Sequence, residues 1–230
     1  MKCIGVLGGM SWESTATYYR LINEGVKARL GGLHSARLLL ASVDFAQVEA
    51  LQHRGDWDAA GALLAAEARN LRAGGAECLL LATNTMHKVW PAITAGLAMP
   101  GLHIADCTGT AIRAAGLDHV ALLGTRYTME QDFYRGRLAQ GFGLRVSVPE
   151  APGRAEVHRV IYEELCQGQV RPDARRYFQS EVAKLVAAGA QGGILGCTEI
   201  GLLLAADDLP CTVFDTTALH AAAAVDFALA

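Results

Sequence analysis

Cys197 is the residue whose type and position most directly suggest chemistry. It follows the apolar run 192–195 and Gly196, and it precedes Thr198 and Glu199 at a predicted helix start. The positive end of a helix dipole stabilises a thiolate, so this position predicts a thiol pKa below the usual value of about 8.5. A buried, inert cysteine is the alternative that the sequence leaves open.

Four segments combine small residues with hydroxyl or amide side chains just after a predicted strand. They are Gly8–Glu13, Thr83–His87, Gly124–Thr128 and Gly196–Glu199. Backbone N–H groups at such strand-to-helix turns bind anions, carboxylates in particular. Any one segment could instead be an ordinary N-cap. Four of them in symmetric places favour a ligand site.

The usual patterns of nucleotide and metal sites are missing. Residues 4–10 carry G-x-x-G-G and not G-x-G-x-x-G, and no G-x-x-x-x-G-K-[ST] occurs. The seven histidines are scattered, without H-E-x-x-H or paired His/Cys spacing. We therefore expect no cofactor and no metal. His87 could cap or line the site, although a satisfied structural histidine is the role we expect for it.

Composition narrows the class of protein. The 230 residues are 52% hydrophobic and 19% charged, with a net charge of −3, which gives no reason to expect nucleic acid or a membrane as partner. No apolar run reaches the roughly 18 residues that span a bilayer. The N-terminus reads as a first strand and not as a secretory segment, so we expect a cytoplasmic protein.

The six cysteines form no C-x-x-C pair and no cluster. In a reducing compartment such cysteines are free thiols. Cys3 and Cys78 sit in apolar runs and are expected to be small core side chains.

The elements that position these residues alternate between short apolar runs and longer Ala-rich segments, which is typical of a parallel sheet wound with helices. The predicted strands are Cys3–Leu7, Arg37–Ser42, Cys78–Ala82, Gly101–Ile104, His119–Leu123, Arg145–Val148, Gly193–Leu195 and Thr212–Phe214. The predicted helices include Ser14–Leu30, Asp56–Ala73, Tyr127–Gln140, Glu156–Cys166 and Ala174–Ala188.

The two halves of the chain resemble each other. IGVLGGMSWE matches VALLGTRYTME, GGAECLLLATNTMHK matches GAQGGILGCTEIGLL, and HIADCTGTAI matches TVFDTTALHA. A long-period repeat predicts two similar α/β lobes with parallel sheets. We expect a first lobe of residues 1–100 with a returning segment from about 212 to 230, and a second lobe of 101–211. Ligands bind at the carboxyl ends of such strands, so the active site is expected between the lobes.

Four segments resemble the aspartate/glutamate racemase family: LGGMSWEST, ATNTMHK, LGTRYTMEQDFY and LGCTEIGLL. The similarity spans the whole chain. It implies two pseudo-symmetric Rossmann-like lobes, no pyridoxal phosphate, a homodimer and an amino acid as substrate. It also implies one catalytic cysteine in each lobe, on opposite faces of the substrate α-carbon.

This sequence departs from the family at one of the two cysteines. The first falls at Thr83, so the chain keeps only Cys197, which the resemblance assigns to the L-face. Threonine does not titrate near neutral pH, so Thr83 cannot begin as a base, although it can relay or donate a proton. We therefore expect racemisation with unequal proton transfer on the two faces.

Removing an α-proton sends negative charge into the α-carboxylate, and without a cofactor the protein must supply hydrogen bonds to it. Asn84, Thr85 and Thr198 are the predicted donors, together with backbone N–H groups. Met10 and Ser11 resemble the family's first-loop contacts.

The side chain of the substrate is harder to predict. Gln52 is the best candidate to reach it, with Arg54 nearby, and an amide could accept an acidic or an uncharged polar group. The second basic contact of dicarboxylate-specific relatives would fall near Glu163 and Glu164, where no basic residue stands. Aspartate/glutamate and broad specificity both stay open.

Three other functions compete with racemisation. Decarboxylases of the superfamily also keep only the second-lobe cysteine, although Asn84, Thr85 and His87 speak against that activity here. A cis–trans isomerase of a small diacid resembles a two-cysteine pattern that this chain lacks. A non-catalytic amino-acid sensor would suit two lobes around a cleft.

Overall fold

The computed structural model describes all residues from Met1 to Ala230. The chain forms two compact units, one of residues 1–103 with 220–230 and one of residues 104–219. Each unit contains a four-stranded, all-parallel sheet flanked by helices, and the two sheets have equivalent strand orders. The predicted α/β class with two similar lobes is confirmed.

The first unit has the strand order β2-β1-β3-β4. Its strands are β1 (Ile4–Gly8), β2 (Leu38–Ser42), β3 (Cys78–Leu81) and β4 (Gly101–Leu102). Its helices are α1 (Trp12–Leu30), α2 (Phe45–Arg54), α3 (Trp57–Ala73) and α4 (Trp90–Thr94), with a 3-10 turn at Thr85–Val89.

The second unit has the corresponding order β6-β5-β7-β8. Its strands are β5 (His119–Gly124), β6 (Arg145–Ser147), β7 (Gly192–Gly196) and β8 (Thr212–Asp215). Its helices are α5 (Ile104–Ala114), α6 (Arg126–Glu130), α7 (Asp132–Phe142), α8 (Ala151–Glu163), α9 (Pro172–Ala187) and α10 (Ile200–Leu203), with 3-10 turns at Leu165–Gln167 and Ala206–Asp208. Helix α11 (Thr216–Leu229) begins in this unit and ends in the first.

Burial explains why the central strands read as continuous apolar runs. Every residue of β1, β3, β5 and β7 is buried, as expected for strands covered by helices on both faces, whereas the edge strand β2 is only partly covered. Cys3 and Cys78 are both buried, and Cys78 packs in the apolar cluster beside α1, which confirms them as core side chains.

All eight predicted strands are present within one or two residues of their expected bounds. The predicted helix over 127–140 is two helices, because Gln131 adopts an extended conformation (φ −99°, ψ 152°) between α6 and α7. Helix α8 begins at Ala151, five residues earlier than expected, with Pro152 in its first turn, where a proline costs no hydrogen bond.

The chain returns to the first unit later than the sequence suggested. We expected the return at about residue 212, but β8 pairs with β7 in the second sheet, and the first unit resumes at His220 within α11. There Ala224 and Val225 pack into the core that lies beside α1. None of the helices combines the length and the apolarity that crossing a membrane requires.

Candidate functional site

The strand order places the four predicted segments in two pairs. In each sheet the order along the chain reverses between the two central strands, so the connections after them leave in opposite directions and open a crevice at their carboxyl ends. Segments Gly8–Glu13 and Thr83–His87 follow the central pair β1 and β3. Segments Gly124–Thr128 and Gly196–Glu199 follow the central pair β5 and β7.

The strand registers show that Thr83 and Cys197 occupy equivalent positions. Gly124 pairs with Gly196 at the end of the second sheet. In the first sheet Leu7 pairs with Leu81, so the next step places Ala82 beside Gly8. Thr83 and Cys197 are the residues that come immediately after these matched positions, each at the point where the chain leaves its sheet.

Close contacts leave no room for a side chain at the glycines of these strand ends. A Cβ on Gly124 would lie 2.8 Å from the carbonyl oxygen of Gly196, and a Cβ on Gly8 would lie 2.5 Å from Thr15 Oγ1. Thr15 Oγ1 accepts from Gly9 N at 2.8 Å and donates to the Ser11 carbonyl at 2.9 Å. Thr15 therefore holds the first loop in shape, a role for which the sequence offers no signal.

The candidate residues of the first unit are all buried, with at most 7% of each residue exposed: Met10, Ser11, Gln52, Thr83, Asn84 and Thr85. Ser11 is the N-cap of α1, where its Oγ accepts from Ser14 N at 3.3 Å, so the capping interpretation holds for it. The amide of Gln52 donates to Met86 Sδ at 2.9 Å. This contact brings α2 against the segment that follows β3.

The ring of His87 is held beside Thr83. Its Nδ1 lies 2.8 Å from the Thr83 carbonyl oxygen, and the ring stacks on Trp90 with a centroid separation of 5.1 Å. Only 2% of His87 is exposed. The expectation of a satisfied structural histidine is therefore confirmed.

The thiol of Cys197 is buried and hydrogen-bonded to a carboxylate. Its Sγ donates to Glu199 Oε2 at 2.9 Å. Burial raises the pKa of the Cys197 thiol well above its ordinary value, and the negative charge of Glu199 raises it further. The expected lowering of this pKa is wrong, because the following helix α10 has only four residues and begins at Ile200, so its dipole is small beside the cost of burying a charge.

Glu199 is a candidate functional residue that the sequence interpretation did not single out. It is buried, and it accepts a second hydrogen bond at the same oxygen, from Thr198 Oγ1 at 2.7 Å. The G-C-T-E order was visible, but only the turn after β7 brings the carboxylate back to the thiol two residues earlier. The Thr198 hydroxyl, which we expect to serve a substrate carboxylate, donates to Glu199 in this structure.

The remaining candidates either make local interactions or lie at the surface. Thr125 is the N-cap of α6 and accepts from Thr128 N at 3.3 Å. Arg54 is exposed at the last residue of α2. Both Glu163 and Glu164 pair with Arg159, at 3.3 Å and 2.9 Å.

Two α/β units, each built on an all-parallel sheet with polar segments at matched strand ends, define the class as a duplicated α/β protein. A family model described as Asp/Glu/Hydantoin racemase matches residues 7–224. A crystal structure described as a “putative Asp/Glu Racemase” from Yersinia pestis is 53% identical with a TM-score of 0.93, and the match covers 100% of both chains. An aspartate racemase homologue from Pyrococcus horikoshii is 31% identical with a TM-score of 0.87, again over 100% of both chains.

The chain therefore belongs to the Asp/Glu/Hydantoin racemase family, and the resemblance found in its motifs is confirmed. A third structure, the aspartate racemase of Picrophilus torridus, shares the fold, with 18% identity and a TM-score of 0.79 over 99% of this chain and 94% of that one.

Proposed function

We propose that this protein is a cofactor-independent racemase that interconverts L- and D-amino acids, with Cys197 and Thr83 serving opposite faces of the α-carbon. One observation carries the proposal: the two residues stand at matched positions at the carboxyl ends of two equivalent sheets, in a chain of this family. A reaction that inverts one carbon needs proton transfer on two faces, and a duplicated fold supplies two such positions.

The hydrogen bond between Cys197 and Glu199 gives the thiol a proton acceptor. In the direction from L to D, the thiol proton passes to the Glu199 carboxylate over the 2.9 Å hydrogen bond, and the thiolate then takes the α-proton. In the direction from D to L, the protonated thiol is already the acid that the reaction needs. The raised thiol pKa makes the protonated form the resting state.

On the other face Thr83 acts as a relay to solvent water, because a hydroxyl is not ionised near neutral pH. From L to D it gives its proton to the carbanion while taking one from water, and the hydroxide that this leaves is neutralised by the proton held on Glu199. From D to L it takes the α-proton while giving its own to water, and that proton returns to the Cys197 thiolate.

The charge that develops on the α-carboxylate is stabilised by the buried amide of Asn84, the hydroxyl of Thr85 and nearby backbone N–H groups. Met10, Ser11 and Thr198 complete the set of substrate-binding residues. Thr198 contributes through the hydrogen bond that fixes Glu199.

The proposed substrates are aspartate, glutamate or a broader set of polar amino acids. Gln52 supports this range, because it is buried beside Met86, in the segment that begins with Thr83, and its amide can bind acidic or uncharged polar groups. The relatives from Yersinia and Pyrococcus are described as a “putative Asp/Glu Racemase” and an aspartate racemase homologue, which favours a substrate with an acidic side chain.

Two further properties stay predictions of the family resemblance and the composition. We expect a homodimer, which light scattering coupled to size-exclusion chromatography would measure directly. We expect a cytoplasmic location, which cell fractionation would test.

The test of the proposed function is α-proton exchange in D₂O across a panel of L- and D-amino acids, followed by mass spectrometry and circular dichroism together. Racemisation gives deuterium uptake and loss of optical activity, with the carboxylate retained. Loss of CO₂ from a disubstituted malonate, without exchange, would identify a decarboxylase instead. Binding without either reaction would identify a sensor. The matched control is Cys197→Ser protein prepared in the same way.

A further inference from the structure

The two matched residues differ in what holds their carbonyl groups. The Cys197 carbonyl accepts a backbone hydrogen bond from Ile200 N at 3.1 Å, which closes a turn of the main chain. The Thr83 carbonyl accepts instead from the His87 side chain at 2.8 Å. The carbonyl group that follows the strand is therefore held by a side chain in the first unit and by the main chain in the second.

The tautomer of His87 follows from this bond. A carbonyl oxygen can only accept, so Nδ1 must carry the proton. The ring has little freedom to turn away, because the Trp90 indole stacks on it within 13° of parallel and the His103 ring lies 4.5 Å away, centroid to centroid. Trp90 is itself fixed by the close approach of β4, since a Cβ on Gly101 would lie 2.5 Å from the indole.

A second fixed ring lies beyond this stack. His220 is 5.9 Å from His87, its Nε2 donates to the Leu102 carbonyl at 2.8 Å, and its Nδ1 accepts from the Tyr18 hydroxyl at 3.0 Å. Burial lowers the pKa of His220 to about 4, so this ring is neutral at neutral pH. The surroundings of His87 thus combine fixed aromatic rings with a neutral histidine.

We infer that His87 is a positioning residue for Thr83: its Nδ1–H fixes the Thr83 carbonyl, and through it the direction of the Thr83 hydroxyl. The inference rests on the proposed role of Thr83. Because Cys197 is held by its own main-chain turn, loss of His87 disturbs proton transfer at Thr83 and spares proton transfer at Cys197.

The experiment compares two variants at this position. His87→Leu removes the donor at similar size, and His87→Asn retains an amide N–H near the position of Nδ1. Starting from the L-amino acid in D₂O, exchange with retention reports Cys197, and inversion requires Thr83 as well. We expect His87→Leu to slow inversion by roughly 10- to 100-fold, the size of effect that a displacement of about 1 Å produces, and to change exchange with retention by less than about twofold. His87→Asn should restore most of the inversion.

His119→Leu is the matched control, because His119 is a buried histidine of the second unit whose Nε2 pairs with Ser147 Oγ at 2.8 Å. It should leave the ratio of inversion to exchange unchanged. If His87→Leu does not fold, Trp90→Leu replaces it, since that variant loosens the ring and keeps the donor, and it should lower the same ratio.

Three outcomes would overturn the inference. They are an unchanged ratio in His87→Leu, an equal loss of inversion and exchange, and a failure of His87→Asn to recover inversion. Thr83→Ala separates this inference from the proposed function. If Thr83→Ala slows inversion and the His87 variants do not, only the positioning role is wrong. If Thr83→Ala has no effect, the assignment of Thr83 fails and the role of His87 fails with it.

Discussion

The segment after β3 and the segment after β7 have the same place in the fold and different chemistry. Cys197 follows its strand directly and carries a thiol that donates to a buried carboxylate. Thr83 ends its strand with a hydroxyl, and its main chain is held by Leu81 on one side and by the His87 ring on the other. The comparison shows that a duplicated topology fixes where two groups stand. The side-chain group at each position decides whether it can ionise near neutral pH, and the following two to four residues decide what it is hydrogen-bonded to.

The difference also explains why the reaction should be unequal on the two faces. In the second unit a proton can transfer between two titratable groups, because Cys197 Sγ and Glu199 Oε2 lie 2.9 Å apart. A threonine hydroxyl has no comparable range of protonation states near neutral pH. We therefore expect one face to depend on acid–base chemistry and the other on hydrogen-bond geometry.

The largest effect should come from removing the thiol. Cys197→Ser keeps a side chain of similar size that does not ionise near neutral pH, so α-proton exchange should fall by roughly 10²–10⁴-fold, the usual cost of losing a general base. The melting temperature should stay close to that of the wild type. A variant that kept more than about a tenth of the wild-type exchange rate would contradict the assignment of Cys197.

The second largest effect should come from removing Glu199, the proposed acceptor of the thiol proton. In Glu199→Gln the Cys197 thiol loses its neighbouring carboxylate, so exchange from the L-enantiomer should fall by roughly 10²-fold at pH 7. Because burial, the largest cause of the raised thiol pKa, is retained in the variant, its thiolate fraction should grow about tenfold per pH unit. Its rate should therefore rise steeply with pH, while the wild-type profile is flatter.

Glu181→Gln is the control for this experiment, since Glu181 is a buried glutamate of the same unit that pairs with Lys184. It should leave both the rate and the pH profile unchanged. Parallel profiles for the wild type and Glu199→Gln would remove Glu199 from the proton path.

Variants of Thr83 should change the relative rates of proton transfer on the two faces of the α-carbon. Thr83→Cys should speed exchange from the D-enantiomer, because a thiol ionises more readily than a hydroxyl, and should bring kcat and KM for the two enantiomers closer together. The ratio of the two kcat/KM values must stay at one, since the enantiomers are equally stable in water. Thr83→Ala should slow inversion and spare exchange with retention. Equal exchange from both enantiomers in the wild type would place the second acid elsewhere.

The smallest effect should be on substrate choice. Gln52→Ala should reduce discrimination among polar amino acids by about 1–3 kcal/mol, the usual range when a buried polar group loses its partner. Met86→Leu removes the sulfur that accepts from Gln52 and retains the volume, so it should change discrimination in the same direction and by less. An unchanged rank order of substrates in Gln52→Ala would locate the side-chain pocket elsewhere.

Much of this fold could be predicted from the sequence because its signals are local or repeated. Buried parallel strands need continuous apolar runs, so β1, β3, β5 and β7 stand out, and the repeat revealed two equivalent sheets. The break at Gln131 and the late return at His220 could not be predicted. No proline, glycine or side-chain cap marks the break at Gln131, and the return lies inside the continuous helix α11, whose later residues pack beside α1.

For the site, the sequence by itself determined the residue types and their spacing: a lone cysteine in G-C-T-E, a threonine at the matching place, and a histidine four residues after it. Only the tertiary structure decided their states. Helix position alone suggested a lowered thiol pKa, but burial and the returning Glu199 carboxylate reverse its direction. Solvation depends on which residues surround a group in three dimensions. The same is true of the hydrogen bonds that Glu199 and His87 make. The local order of residues does not encode that proximity.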